Sequence, residues 1–143
     1  MKIRKATKKD FLRISEIFRI EFKKKPYNER WLPKNAFKKI QEYGKKGIIL
    51  VVEEEKEIFG FLIGHLDLWE NSQIGFIDEI VILKKMQGKG HGKKLITRFE
   101  NYLKKKNIKK LYLMSRKSSS AFQAYKKLNF IEEDFVSMVK TLK

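Results

Sequence analysis

A chain of 143 residues is long enough for one domain with a buried core, and 42% hydrophobic with 13% aromatic residues is not the composition of a disordered segment. The absence of cysteine excludes disulfides, a thiol nucleophile and thiolate metal sites, and two histidines, His65 and His91, are too few for an imidazole-built centre, so a metal-free protein is expected. The net charge of +17 is uneven: residues 1–47 carry 16 basic and 5 acidic side chains, residues 48–83 carry 1 and 8, and residues 84–143 carry 17 and 4.

Residues 2–5 read as a short strand. Thr7-Lys8-Lys9-Asp10 has the form of a capping box with Asp in place of Glu. Phe11, Ile14, Phe18 and Phe22 follow at steps of three and four, an amphipathic helix that Lys23-Lys24-Lys25-Pro26-Tyr27-Asn28 breaks. Pro33 opens a second helix with Phe37, Ile40 and Tyr43 on one face, ending between Gly44 and Gly47. Residues 48–53 and 58–68 are strands joined by the polar turn Glu54-Glu55-Lys56-Glu57. Asn71-Ser72-Gln73 turns into the apolar strand 76–83. Leu95, Ile96, Phe99, Tyr102 and Leu103 then recur at helical spacing. Residues 109–114 read as a strand, 118–128 as a helix and 130–141 as a last strand. The order is β-α-α-β-β-β-α-β-α-β. A helix between the fourth and fifth strands implies a parallel crossover, and the short turns imply antiparallel pairs. The expectation is one mixed α/β domain over 1–143, a central mixed sheet with helices on both faces.

Gln87-Gly88-Lys89-Gly90-His91-Gly92 occupies the turn from strand 76–83 into the long helix. First-turn N–H groups of a helix lack partners, the helix dipole presents its positive end there, and glycines let an anion come close. Lys89, Lys93 and Lys94 add charge. A pyrophosphate cradle is the physical reading; a glycine-rich turn with solvated lysines is the bland one. A P-loop would need Lys and then Ser or Thr after its second glycine, and a dinucleotide fingerprint would need Gly or Ala at 93, which is Lys.

The spacing that fits is Gln-x-x-Gly-x-Gly, and with Ile80-Val81-Ile82-Leu83 ahead of it the segment resembles the GCN5-related N-acetyltransferase (GNAT) superfamily. Ser118-Ser119-Ser120-Ala121-Phe122-Gln123-Ala124-Tyr125-Lys126-Lys127-Leu128-Asn129-Phe130 resembles a second signature of that family. The resemblance implies the same sheet layout and an enzyme, an acyltransferase that moves an acetyl group from acetyl-CoA to a primary amine in a ternary complex. It implies coenzyme contacts from Ile80, Val81, Ile82, Gln87, Gly88, Lys89, Gly90, His91, Gly92, Lys93 and Ser118. A bulge in strand 76–83 would free N–H groups near Ile80 and Ile82 for pantetheine and the thioester oxygen. Tyr125 would protonate the departing thiolate, unless it is only a core aromatic. Ser118 replaces the family's Asn, and Asn129 its Gly, which Asn can do in a left-handed C-cap.

Adjacent acids in a mostly apolar strand are costly without a purpose, so Asp78 or Glu79 is the expected general base; alternation sends them to opposite faces unless a bulge intervenes. A salt bridge to a neighbouring strand is the alternative. In the bacterial ribosomal-protein acetyltransferases the base follows the fifth strand, where this chain has Leu113-Met114-Ser115-Arg116 and no acid. His91 reads as a helix N-terminal residue and His65 as structural. Tyr27, Asn28, Glu29 and Trp31 are candidate acceptor-binding residues, with Trp69 and Glu70 placed to face them; ordinary aromatic packing is the rival account. The acceptor is a protein N-terminus or lysine, a polyamine or another small amine. A homodimer is compatible with all of this. The basic segments would also suit nucleic acid or a ribosome in a non-catalytic domain of the same fold, though no aromatic RNA-binding platform is visible, and a lysine-rich surface adapted to heat is the plain explanation of the charge. No apolar run nears the roughly 20 residues of a membrane span, and Met1-Lys2-Ile3-Arg4-Lys5-Ala6 has no signal-like core, so a cytoplasmic protein without a membrane partner is expected.

Overall fold

Four strands form an antiparallel meander interrupted by one helical excursion. In the computed structural model, which describes residues 1–143, β1 (Lys2–Lys5) pairs with β2 (Ile48–Glu54), β2 with β3 (Glu57–Trp69) and β3 with β4 (Ser72–Ile82). Glu55 and Lys56 take φ of 50° and 67°, the left-handed pair that a two-residue hairpin needs to match strand twist. β5 (Leu111–Leu113) joins β4 in parallel, so the order across the sheet is β1-β2-β3-β4-β5. The crossover is α3 (His91–Lys105). No helix is long and apolar enough to cross a membrane.

Between β1 and β2 lie α1 (Phe11–Phe22) and α2 (Pro33–Lys46), with proline at the first position of α2, where its missing N–H costs nothing. The capping box is present: Asp10 Oδ2 accepts from Thr7 N at 2.7 Å, and Arg4 ties the same carboxylate to Glu53 of β2. Ile14, Ile17 and Phe18 of α1 and Ala36 and Ile40 of α2 pack on Ile49, Val51, Phe61 and Ile63. Leu95, Ile96, Phe99 and Leu103 of α3 pack on the opposite face, against Leu50, Val52, Leu62 and Ile77. Successive residues of β2 thus serve opposite layers, which is why it reads as an unbroken apolar run. Each of these large side chains contributes about 1.5–3 kcal/mol by burial.

β4 departs from regularity in two places. Ile63 faces Glu79 while Gly64 faces Ile77, so Asp78 is an extra residue in β4, a bulge. β4 pairs with β5 only over Gly75–Ile77, so beyond Asp78 its outer edge has no strand beside it.

The last helix, α4 (Ser120–Lys127), lies within the expected span, but the strand expected over 130–141 is not in the sheet. Phe130 N donates to Tyr125 O at 3.1 Å, and no backbone hydrogen bond follows. Phe135, Val136, Met138, Val139 and Leu142 are 83–95% exposed. A strand pattern specifies a surface to be paired; it does not supply the neighbour.

Candidate active site

The turn after β4 is built from backbone donors. A single 3-10 turn (Lys84–Met86) leads to Gly88 and Gly90 at φ of 75° and 85°, a region closed to most side chains, and Gly90 is the N-cap of α3. The first intrahelical bond of α3 runs from Lys94 N to Gly90 O at 3.1 Å. None of the six N–H groups from Gly88 to Lys93 has an acceptor within the protein. A Cβ on Gly88 or Gly90 would meet nothing within 4 Å, so these glycines serve backbone conformation and open approach, not packing. Gly92 lies over β4, its Cβ direction 3.9 Å from Ile80 Cδ1. His91 packs edge-on to Phe59, with its buried Nδ1 unpartnered, and burial followed by the charges of Lys94 and Lys89 pushes the imidazole below its ordinary pKa. This row of donors, the orphaned Nδ1 and the lysines around them fit a multiply negative phosphate ester.

Other residues named from the sequence stand differently. Gln87 Nε2 donates to Ile82 O at 2.7 Å and to Glu21 Oε1 at 3.4 Å, so its amide closes the turn. Glu21 holds the same turn through Lys84 N. Val81 is buried in the α1–α2 layer. Ser118 is exposed, and the N-cap of α4 is Ser119, whose Oγ bonds Arg116 O.

The bulge has two effects at once. Leu83 N donates to Phe59 O, so antiparallel alternation turns Glu79, Val81 and Leu83 toward β3. Ile80 and Ile82 therefore point their N–H groups away from β3, into the gap where β5 has already separated. The extra residue also sends both acids to the α1–α2 face. Glu79 Oε2 accepts from Tyr43 OH at 3.1 Å, and Asp78 Oδ2 lies 2.6 Å from His65 Nδ1. The second ring nitrogen of His65 is 3.1 Å from Asp67 Oδ2, so a buried imidazole is gripped between two carboxylates and Asp78 is held in place.

Burial pushes the Glu79 carboxyl up to about 7; the Tyr43 hydrogen bond opposes this, and the charges of Glu29 and Asp78 add to it. Burial, then Tyr27 and Glu79, raises Tyr125 far enough that the phenol stays protonated at neutral pH. Tyr43 is raised the same way. Tyr27, Tyr43, Tyr125, Glu29, Asp78 and Glu79 are therefore near enough to influence one another's charge, an acidic cluster in a basic protein. Asn28, Glu29 and Trp31 line a hollow of about 620 Å³ beside it, with Trp31 Nε1 donating to Glu29 at 2.6 Å. Trp31 also packs edge-on to Phe18, and Tyr27, which does not line that hollow, packs edge-on to Phe22, so aromatic packing accounts for both rings. A second hollow of about 480 Å³, lined by Lys5, Gly47, His65 and Tyr102 among others, includes neither Glu79 nor the glycine turn.

Trp69 and Glu70 do not face Tyr27 and Trp31. They sit at the tip of the β3–β4 hairpin, where Trp69 is exposed and lies six residues along β3 from Ile63, the partner of Glu79. At ~3.3 Å per residue that is about 20 Å away. Sequence reading missed Tyr43 and the link from His65 to Asp78. The signal was available for Tyr43: a phenol on the apolar face of a helix needs a partner for its hydroxyl.

Residues 11–130 match the model of the acetyltransferase (GNAT) family. The chain belongs to that family. It is an acyltransferase, and the family generally uses acetyl-CoA. One relative, the ribosomal protein bS18-alanine N-acetyltransferase of Haemophilus influenzae, is 35% identical over 91 residues, a stretch that spans 64% of this chain and 60% of the relative. Among solved GNAT-like folds, a possible acetyltransferase from Clostridium difficile 630 superimposes with a TM-score of 0.85 at 19% identity, covering 99% of this chain and 97% of the other. An aminoglycoside acetyltransferase from an uncultured soil metagenomic sample, bound to trehalose, gives 0.77 at 21% identity, covering 99% and 96%. These likenesses show the fold.

Proposed function

We propose that this GNAT chain transfers the acetyl group of acetyl-CoA to a primary amine held at the acidic cluster around Glu79. The observation that carries the reading is the bulge at Asp78, which frees the Ile80 and Ile82 N–H groups on one side and gathers Asp78 and Glu79 on the other. The N–H row from Gly88 to Lys93 takes the pyrophosphate, and the Ile80 and Ile82 N–H groups take the pantetheine and the thioester oxygen. Glu79 accepts a proton from the ammonium, and the freed nitrogen bonds to the carbonyl carbon. The carbon–sulfur bond breaks as the carbonyl re-forms, Tyr125 gives its proton to the thiolate, and the nitrogen sheds its second proton, which restores the Tyr125 phenol.

The acceptor we favour is a peptide N-terminal amine. A carboxylate at about 7 is well matched to an α-ammonium, ordinarily about 7.7–8.0, and poorly to a lysine at about 10.4. The relative that acts on the alanine of ribosomal protein bS18 supports the same choice. This chain reaches it without an acid after β5: Arg116 stands there and lies 5.9 Å over the Tyr27 ring. The test is thiol release from acetyl-CoA with an alanine-initiated peptide, its N-blocked lysine-containing twin, and a diamine. Release with the free peptide alone supports the reading. Faster release with the blocked twin or the diamine sinks the α-amine assignment, and no release with any amine sinks the transferase reading.

A further inference from the structure

The hollow beside the acidic cluster is basic. Arg19 and Lys23, one turn apart at the end of α1, line it together with Arg30 of the loop that follows, and Glu29 is the single acid on its wall. The Glu29 carboxylate is already engaged, accepting from Trp31 Nε1 at 2.6 Å. None of the three cations is in an ion pair. Lys23 and Arg30 are exposed, and unpaired surface cations need no explanation in a chain of net charge +17. Arg19 is different. It is half-buried, and its Nε donates to Trp31 O at 3.1 Å, which fixes the plane of the guanidinium. Its four terminal N–H groups find no acceptor in the protein and stay open to solvent. A guanidinium held at Nε with its fork free is shaped for a planar anion with two oxygens.

We propose that this hollow binds a carboxylate carried close to the reacting amine, so that the acceptor is read as a dipole, its ammonium at Glu79 and its carboxylate at Arg19. The inference rests on the transferase reading and adds a substrate class to it: peptides with Asp or Glu soon after the N-terminal residue. Glu29 joins the two places. It lines the hollow, and its charge is one of those that raise the Glu79 carboxyl. The two ends of the acceptor cannot be exchanged. Arg19, Lys23 and Arg30 repel an ammonium, and Asp78 and Glu79 repel a carboxylate, so the arrangement selects against lysine-rich peptides and polyamines as well as for acidic ones. A hollow of about 620 Å³ is within the size range of small-ligand sites.

Trp31 lines the hollow, and the only other tryptophan, Trp69, is exposed at the hairpin tip. In a Trp69→Phe chain the fluorescence of Trp31 therefore reports occupancy with no transfer needed. Titrations are made with coenzyme A, which carries no acetyl group, and with Ala-Asp-Asp amide or Ala-Lys-Lys amide. The acidic peptide should give a saturable change and bind at least tenfold more tightly than its lysine twin. Arg19→Gln can keep the bond to Trp31 O while losing the charge and the fork, and should abolish the difference. Lys23→Glu with Arg30→Glu, both at exposed positions, should reverse it. In thiol release from acetyl-CoA, kcat/KM for Ala-Asp-Asp amide should exceed that for Ala-Asn-Asn amide at least tenfold, with the gain in KM. Equal binding of the acidic and lysine peptides, or a preference that survives both sets of substitutions, would overturn the proposal. Selective binding of the acidic peptide without transfer to any amine would uphold the carboxylate site and sink the transferase reading instead.

Discussion

Glu79→Gln separates activity from stability in a way that tests the buried base twice. The carboxyl is raised from its ordinary 4.5 to about 7, roughly 2.5 pH units, and each unit is worth about 1.36 kcal/mol. Below pH 4.5 both folded and unfolded chains hold the proton, and the group costs nothing. Between 4.5 and 7 the unfolded chain ionises while the folded one does not, so stability falls as pH rises. Above about 7 the loss levels off near 3 kcal/mol. Glutamine is neutral throughout and keeps the acceptor for Tyr43. Urea melts of both proteins from pH 4 to 8.5 should therefore show the variant gaining about 3 kcal/mol on the parent across that window. In the same variant the amine-dependent rate should fall by about 10²–10⁴ at pH 7, and the rise of parent kcat/KM through pH 7 should disappear. Parallel stability curves would refute the buried carboxyl, and an unchanged pH–rate profile would refute its role as base.

Gly92→Val adds a branched side chain beside the donor row, with its Cβ in ordinary contact with Ile80 Cδ1 at 3.9 Å and no positive φ to strain it, so acetyl-CoA affinity measured by calorimetry should drop at least tenfold while the melting temperature holds. Tyr125→Phe keeps the ring against Phe130, so turnover should fall about 10²-fold with little change in stability; full turnover would mark Tyr125 as a core aromatic only. Gly47→Ala places a Cβ 2.0 Å from Gly64 O, a backbone atom that cannot step aside, and should cost about 3 kcal/mol or more in chemical denaturation. Asp10→Ala removes both the capping-box acceptor and the Arg4 partner, at about 1–2 kcal/mol near neutral pH. Arg4 holds the Asp10 carboxyl below its ordinary range, so its contribution is present above about pH 4 and is lost as pH falls further; the variant and parent should converge in acid.

Local chemistry determined most of this fold in advance. Phe11, Ile14, Phe18 and Phe22 could only make an amphipathic helix, Pro33 could only open one, and the continuous apolar runs in β2 and β3 demanded cover on both faces. The glycines at 88 and 90 are readable because positive φ and open approach leave a compositional mark. What sequence could not decide were relations between distant segments. Asp78 and Glu79 share a face only because β3 sets a register with an extra residue opposite Ile63, and the Glu79 carboxyl is pushed up to about 7 only because the fold buries it, against the pull of a hydrogen bond from Tyr43, thirty-six residues away. Gln87 reads as a ligand residue by spacing, yet Glu21 and Ile82 O claim its amide. The last strand shows the limit most plainly. Residues 135–142 carry every local sign of a strand, but a strand exists only beside a neighbour, and pairing is a property of the assembled sheet and not of the segment.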